Sequence, residues 1–321
     1  MKPLAKSVAC LFLLVTIAAA DAAGPAKSKT SAKLTTEAET ELPVAAMVGD
    51  QPVYVAEVDD LLAGRRRKTA GAASAELRAA ALDQAINQRL VAGYLVKQGY
   101  AVAKQESDEL LAELKRKLEA QSLTFDEFLS RHGLNERMVR RRLEWDVMWA
   151  GFLANEATDE ALQRFFDLHR RDYDGSELRV SHILLPVKTE DGEAKLRAAL
   201  EQADKLRSQI VSGNLSFAKA AEEHSSGPSR RHGGDLGFIP LHDRMTAAFS
   251  RAAFELKKGE ISKPVVDQFG VHLIQCTDVK AGDKTWQDAR RELVEDFARE
   301  RFLELAKKQR KEVSVKIVRV K

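Results

Sequence analysis

The chain closes on an alternation that a solitary segment cannot satisfy. Val313, Val315 and Ile317 are interleaved with Ser314 and Lys316, the pattern of a strand buried on one face. A single strand leaves its backbone donors and acceptors unpaired, so it has to join others. The best partner lies near the opposite end, in Val44-Ala-Ala-Met-Val-Gly-Asp-Gln-Pro-Val-Tyr. There Gly49-Asp50 supplies a turn and Pro52 restricts the second strand to a sheet edge. Pairing near Met47 folds both ends of the chain into one domain and makes the middle an insertion. The alternative is an appendage on the inserted unit, and the apolar alternation favours pairing.

Between those ends the hydrophobic period changes once and changes back. Up to Asp172 it is helical. Leu82, Ile86, Gly93 and Val96 mark one face of a long helix that Gly99 stops, and a charged helix follows over 104–121. Thr124 and Glu127 have capping-box spacing and open a short helix that ends at Gly133. A helix from Asn135 aligns Met138, Trp145, Trp149 and Phe152, with Arg140, Arg141 and Arg142 turned away. Core packing is the expected use of that aromatic stripe, with a binding groove as the alternative. The basic runs at 65–68 and 140–142 lack interleaved aromatics and are read as solvated faces. From Ser176 to Val279 the pattern is α+β: a strand over 180–185, helices over 193–211 and 217–224, a glycine-rich loop, a helix over 247–256, and strands at 265–266 and 271–276. After Gly282 a helix presents Trp286, Ala289, Leu293 and Phe297 on one face.

The first twenty residues are set aside. Lys2 and Lys6 precede an apolar run over 8–20 that is too short to span a bilayer and ends Ala18-Ala19-Ala20, as a cleavable export signal does. Residues 22–43 contain almost no large apolar side chain and read as a flexible tether. The expected organisation is a signal peptide over 1–20, a linker over 21–43, a helical region over 44–172, an α+β unit over 176–280, and a helix and strand over 284–321 packing on the helical region. Export predicts a periplasmic or envelope location, with no membrane span once the signal is cleaved. Cleavage leaves Cys276 as the one cysteine, expected to be buried. The formal net charge of +3 is too balanced for a nucleic-acid binder. Of the 7 histidines none are spaced i, i+4, and no P-loop, G-x-S-x-G, H-E-x-x-H or dinucleotide fingerprint occurs, so neither metal nor cofactor is expected.

Within the α+β unit, Val180-Ser-His-Ile-Leu-Leu, Gly233-Gly-Asp-Leu-Gly, Ala253-Phe-Glu-Leu with Gly259-Glu-Ile, and Gln268-Phe-Gly-Val-His-Leu-Ile follow one another. In that order they resemble the parvulin (PpiC-like) family of peptidyl-prolyl cis/trans isomerases. The chain as a whole resembles, more loosely, the secreted foldases of the PrsA and SurA type. The resemblance implies a parvulin-like antiparallel sheet with surrounding helices, inserted in a mostly helical chaperone-like domain. It assigns the proline pocket to Leu236, Met245 and Phe249, with Ile239 beside them, and a hydrogen-bonded pair of histidines to His182 and His272. Its implied substrates are unfolded or newly translocated polypeptides containing X-Pro bonds, and a homodimer is an open possibility.

The sequence departs from the family in two places. Gly227 stands where active parvulins commonly carry Cys or Asp, and Asp267 stands where many have Thr. Ser226 is the expected substitute for the missing side chain at 227. Asp267 is expected to accept a hydrogen bond from one of the histidines and to raise the imidazole pKa. The loop 186–193 has one lysine, Lys188, against Glu190, Asp191 and Glu193, so phosphorylated substrates are not expected. The alternative function is a non-catalytic holdase whose parvulin unit only binds peptides.

Overall fold

A computed structural model describes residues 42–66, 75–242 and 245–318. The expected signal peptide, nearly all of the expected linker, and Arg67 and Lys68 of the first basic run lie outside those residues.

The elements run β1 (Val44–Val48), β2 (Gln51–Tyr54), α1 (Val55–Arg66), α2 (Ala75–Leu95), α3 (Lys104–Glu119), α4 (Phe125–His132), α5 (Glu136–Glu156), α6 (Asp159–Leu168) and α7 (Arg170–Tyr173). They continue β3 (Glu177–Pro186), α8 (Gly192–Val211), α9 (Phe217–His224), β4 (Asp235–Pro240), α10 (Ala247–Phe254), β5 (Val265–Asp267), β6 (Gly270–Lys280), α11 (Arg290–Glu312) and β7 (Val315–Ile317). The architecture is α+β. The chain divides into two compact units, one of residues 1–158 with 298–321 and one of residues 159–297.

In the first unit, β1 is the centre of an antiparallel sheet of order β2-β1-β7, with Met47 opposite Pro52 on one side and Lys316 on the other. Pro52 therefore sits on an edge, where a missing N–H costs no ladder bond. Ala46, Val48, Val53, Val58, Leu62, Ala81 and Ile86 bury one side of this sheet under α1 and α2. Thr124 caps α4 in a capping box and Gly133, at φ 63, ends it in the left-handed region that favours glycine. The aromatic stripe of α5 is core. Trp145 and Trp149 stack at 5.5 Å, and Phe302 of α11 stands edge-on to both.

Two readings of this unit are corrected. Ile86 is buried as expected, with Ala81, Ala85, Leu90, Val91 and Leu95, whereas Gly93 and Val96 are exposed. The regular helix ends at Leu95, where the chain widens into a π turn over Val96–Tyr100 with Gly99 at φ 87, so the buried face stops before Val96. Arg141 is not solvated. It lies 5.3 Å over the Tyr54 ring and 3.4 Å from Glu57, which also holds Arg89 at 2.8 Å.

In the second unit the sheet order is β4-β3-β6-β5. One face packs Ile183, Leu185, Val271 and Leu273 against α8 and α9. The other packs Leu178, Val180, Ile274 and Cys276 against α10. Cys276 is buried, and burial pushes its thiol pKa up. The segment Asp235–Pro240, read from sequence as part of a glycine-rich loop, is instead the edge strand β4 on β3. Arg171 donates to the carbonyls of Phe254 and Leu256, placing a cation at the C-terminal end of α10.

Candidate active site

Strand register places the two histidines side by side. On the α10 face of the sheet, Val180, His182 and Leu184 of β3 lie opposite Cys276, Ile274 and His272 of β6. His182 and His272 are thus diagonal neighbours on one face, just beyond the apolar residues that pack on α10. Both are buried, with 7% and 4% of their surfaces exposed. Their rings are nearly parallel, with Nδ1 to Nδ1 at 3.4 Å and centroids 5.6 Å apart. Phe249 stands edge-on to both, at 5.8 and 5.4 Å.

Asp267, the last residue of β5, anchors the row. Its Oδ1 lies 2.9 Å from His272 Nε2 and accepts from the Phe269 amide at 2.8 Å, while its Oδ2 accepts from the Thr246 hydroxyl at 2.8 Å. The carboxylate holds His272 Nε2–H as donor. With one proton on each ring, His272 Nδ1 then accepts from His182 Nδ1–H, and a lone pair is left on His182 Nε2. That nitrogen is buried and has no hydrogen-bond partner.

The electrostatics follow from burial. His182 is lowered to about 4, first by loss of solvent, then by the neighbouring His272, and only partly offset by Asp267. Asp267 takes the expected hydrogen bond from His272 and does push the His182 imidazole up, but desolvation outweighs a carboxylate that touches the other ring, so the net shift of His182 is downward. For Asp267 burial is the largest single influence and acts upward. The Phe269 amide, Thr246 and His272 together outweigh it and hold the carboxyl below its usual value.

The apolar side chains divide into two layers. Ile239 and Phe249 are each 2% exposed and belong to the core beneath the site, whereas Leu236 and Met245 are half-buried above them. Ser226 is exposed, and its amide donates to the Leu184 carbonyl. Its neighbour Ser225 is the buried one, its hydroxyl accepting from the amides of Leu184 and Gly227 at 3.0 and 3.1 Å. Thr246, absent from the sequence reading, links the two halves. Its Oγ donates to Asp267 and accepts from the Phe249 amide at 3.3 Å as the N-cap of α10. A Thr two residues before an apolar pair is a legible cap signal, but its second bond depends on β5. Among the described residues no cluster of His, Cys, Asp and Glu could hold a metal ion.

Residues 182–278 match the family described as Rotamase: PPIC-type PPIASE domain. This segment is a parvulin-type PPIase domain. The chain is homologous to the PrsA and SurA foldases. It is 42% identical over 111 residues to "Chaperone SurA" of Sodalis glossinidius, a match covering 34% of this chain and 25% of that protein. It is 27% identical over 224 residues to "Foldase protein PrsA" of Geobacillus kaustophilus, covering 69% of this chain and 71% of that one. The match thus spans a quarter of the SurA relative's length. Among solved structures, "Peptidylprolyl Isomerase (PrsA) from Bacillus anthracis" aligns over 72% of this chain and 96% of its own, at 22% identity and a TM-score of 0.38.

Proposed function

We propose that this chain is an exported peptidyl-prolyl cis/trans isomerase of the parvulin type, acting on unfolded or newly translocated polypeptides in the periplasm or envelope. In this reading residues 1–20 are the signal peptide, 21–43 a linker, 176–280 the catalytic unit, and 44–172 with 284–321 a client-binding region, apart from 159–172 and 284–297, which fold with the catalytic unit. The observation that carries it is the row Thr246–Asp267–His272–His182 lying against Phe249 beneath half-buried Leu236 and Met245. Rotation about X-Pro is slow because it breaks amide resonance, at a barrier of about 18–20 kcal/mol. No proton or covalent bond has to move. A dry apolar seat for the proline ring, on Leu236 and Met245 with Phe249 behind them, favours the twisted amide over the planar one. The buried histidines and the fixed carboxylate hold the floor of that seat in one shape.

Export rests on the leader alone, and among the described residues no helix is long and apolar enough to cross a membrane. A second reading, a holdase with a peptide-binding parvulin unit, is favoured by Gly227, which offers the substrate no side chain. Exchange NMR on an X-Pro peptide with residues 21–321 separates the two. Acceleration lost in His182→Ala and Met245→Ala supports the isomerase. Peptide-induced shifts near Met245 and Phe249 without acceleration support the holdase.

A further inference from the structure

Gly227 is buried, yet its backbone, at φ −70 and ψ 153, is ordinary extended chain open to any residue. Its glycine identity is explained by what surrounds it. A Cβ built there would lie 2.8 Å from His182 Nε2, 3.2 Å from Cε1 and 3.3 Å from Ser225 Oγ. The imidazole has little room to retreat. Its Nδ1 is on His272, Phe249 stands at its side, and its own amide donates to the Gly234 carbonyl at 2.9 Å. A side chain at Gly234 would overlap the His182 carbonyl, so the ring and its backbone are bracketed by two glycines. The unpartnered Nε2 is covered from solvent on the Gly227 side.

We propose that Gly227 is a positioning residue: the bare backbone at 227 is the seat of the His182 ring. The Cys or Asp expected there from family resemblance would displace the ring and impair the site. The departure at 227 is then matched by the His182 ring, which occupies the space a side chain there would need. The kinetic part of this proposal rests on the isomerase reading above, and the ring's placement does not.

The test compares the full chain with its Gly227→Ala, Gly227→Cys and Gly227→Asp variants. Histidine 15N NMR follows the titration of His182, and exchange NMR follows turnover of an X-Pro peptide. In the parent chain His182 stays neutral down to about pH 4. In Gly227→Ala its midpoint moves toward the ordinary histidine value, about 6.5, and kcat/KM falls on the order of a hundredfold, as for a group displaced by about 1 Å. Gly227→Cys and Gly227→Asp lose turnover as well. The alanine variant carries the titration, since an aspartate would shift the ring by its charge alone. Turnover kept or raised in the Cys or Asp variant, with the Gly227→Ala midpoint unchanged, overturns the proposal. If the variants do not fold, the parent titration decides: a His182 midpoint near 6.5 overturns the seat under Gly227. A parent chain that accelerates nothing refutes the isomerase reading, while the titrations still judge the seat.

Discussion

Replacing His182 with asparagine should flatten the response of the second unit to acid. In the folded chain His182 is lowered to about 4, whereas in the unfolded chain it titrates near the ordinary histidine value, about 6.5. Above that value both states hold it neutral and its burial carries no proton penalty. As pH falls from 6.5 to 4 the unfolded chain takes up a proton that the folded chain refuses, so stability is lost across that window and not regained below it. At 1.36 kcal/mol per pKa unit the loss is about 3 kcal/mol, a large share of what a domain of this size has to spare. Asp267 does not confuse the comparison. Its folded pKa is depressed, so its contribution is present above the usual aspartate value, about 3.9, and fades only below it. Asparagine keeps a polar atom near the place of Nδ1 without titrating. Urea unfolding followed through the amide signals of β3 and β6, at pH 7 and pH 4, gives the loss for each protein. The parent should lose about 3 kcal/mol more than His182→Asn. Parallel losses would refute the burial argument.

Other consequences follow from neighbouring groups. Thr246→Val removes both the α10 cap and a bond to Asp267, so it should cost about 1–3 kcal/mol in urea unfolding. Thr246→Ser, which keeps the hydroxyl, should cost less than half of that. Arg171→Met leaves the carbonyls of Phe254 and Leu256 without their donor and should destabilise the second unit by about 1–3 kcal/mol by the same assay. Cys276, buried with a raised thiol pKa, should stay unreactive toward a thiol reagent until urea opens the unit; fast labelling of the native chain would contradict its placement. Truncation after Glu312 removes β7 and bares the outer edge of β1, so the shortened chain should associate at concentrations where the full chain does not, as sedimentation would report.

What the sequence disclosed depended on how local each signal was. Helices with their own caps were legible to the residue, as at Thr124, Asn135 and Gly133. The α+β class followed from the change of period at Ser176. Strand β4 was hidden because Gly237, at φ +74, and Pro240 read as loop residues, while the pairing that makes Asp235–Pro240 a strand comes from β3, far away in sequence. Arg141 looked like surface because a run of three arginines is usually solvated, and only the tertiary fold brings Glu57 of α1 and Tyr54 of β2 against this residue of α5. At the site the histidines stood out through motif order, not through any pattern of their own. Ser226 was expected where Ser225 is the buried hydroxyl, because which of the two faces inward after α9 is set by their bonds to Leu184 of β3, which composition does not encode. Thr246 escaped for the same reason, since its bond to Asp267 joins an element to a strand eleven residues beyond that element's end.

The pairing of β1 with β7 carries a consequence for synthesis. A chain delivered from its N-terminus presents Ala46 and Val48 long before Val315 and Ile317 exist to cover them. Tying ends so far apart costs about 5 kcal/mol of chain entropy if everything between is slack. The second unit need not be slack. Asp159 and Arg290, near its two ends, are joined at 2.7 Å, and Phe165 meets Phe297 edge-on at 5.7 Å. Once that unit has folded, its entry and exit stand together and the long detour collapses into a short one. The inserted unit thus shortens the path by which its host closes, and its own folding rate sets how long the N-terminal sheet waits with an open edge.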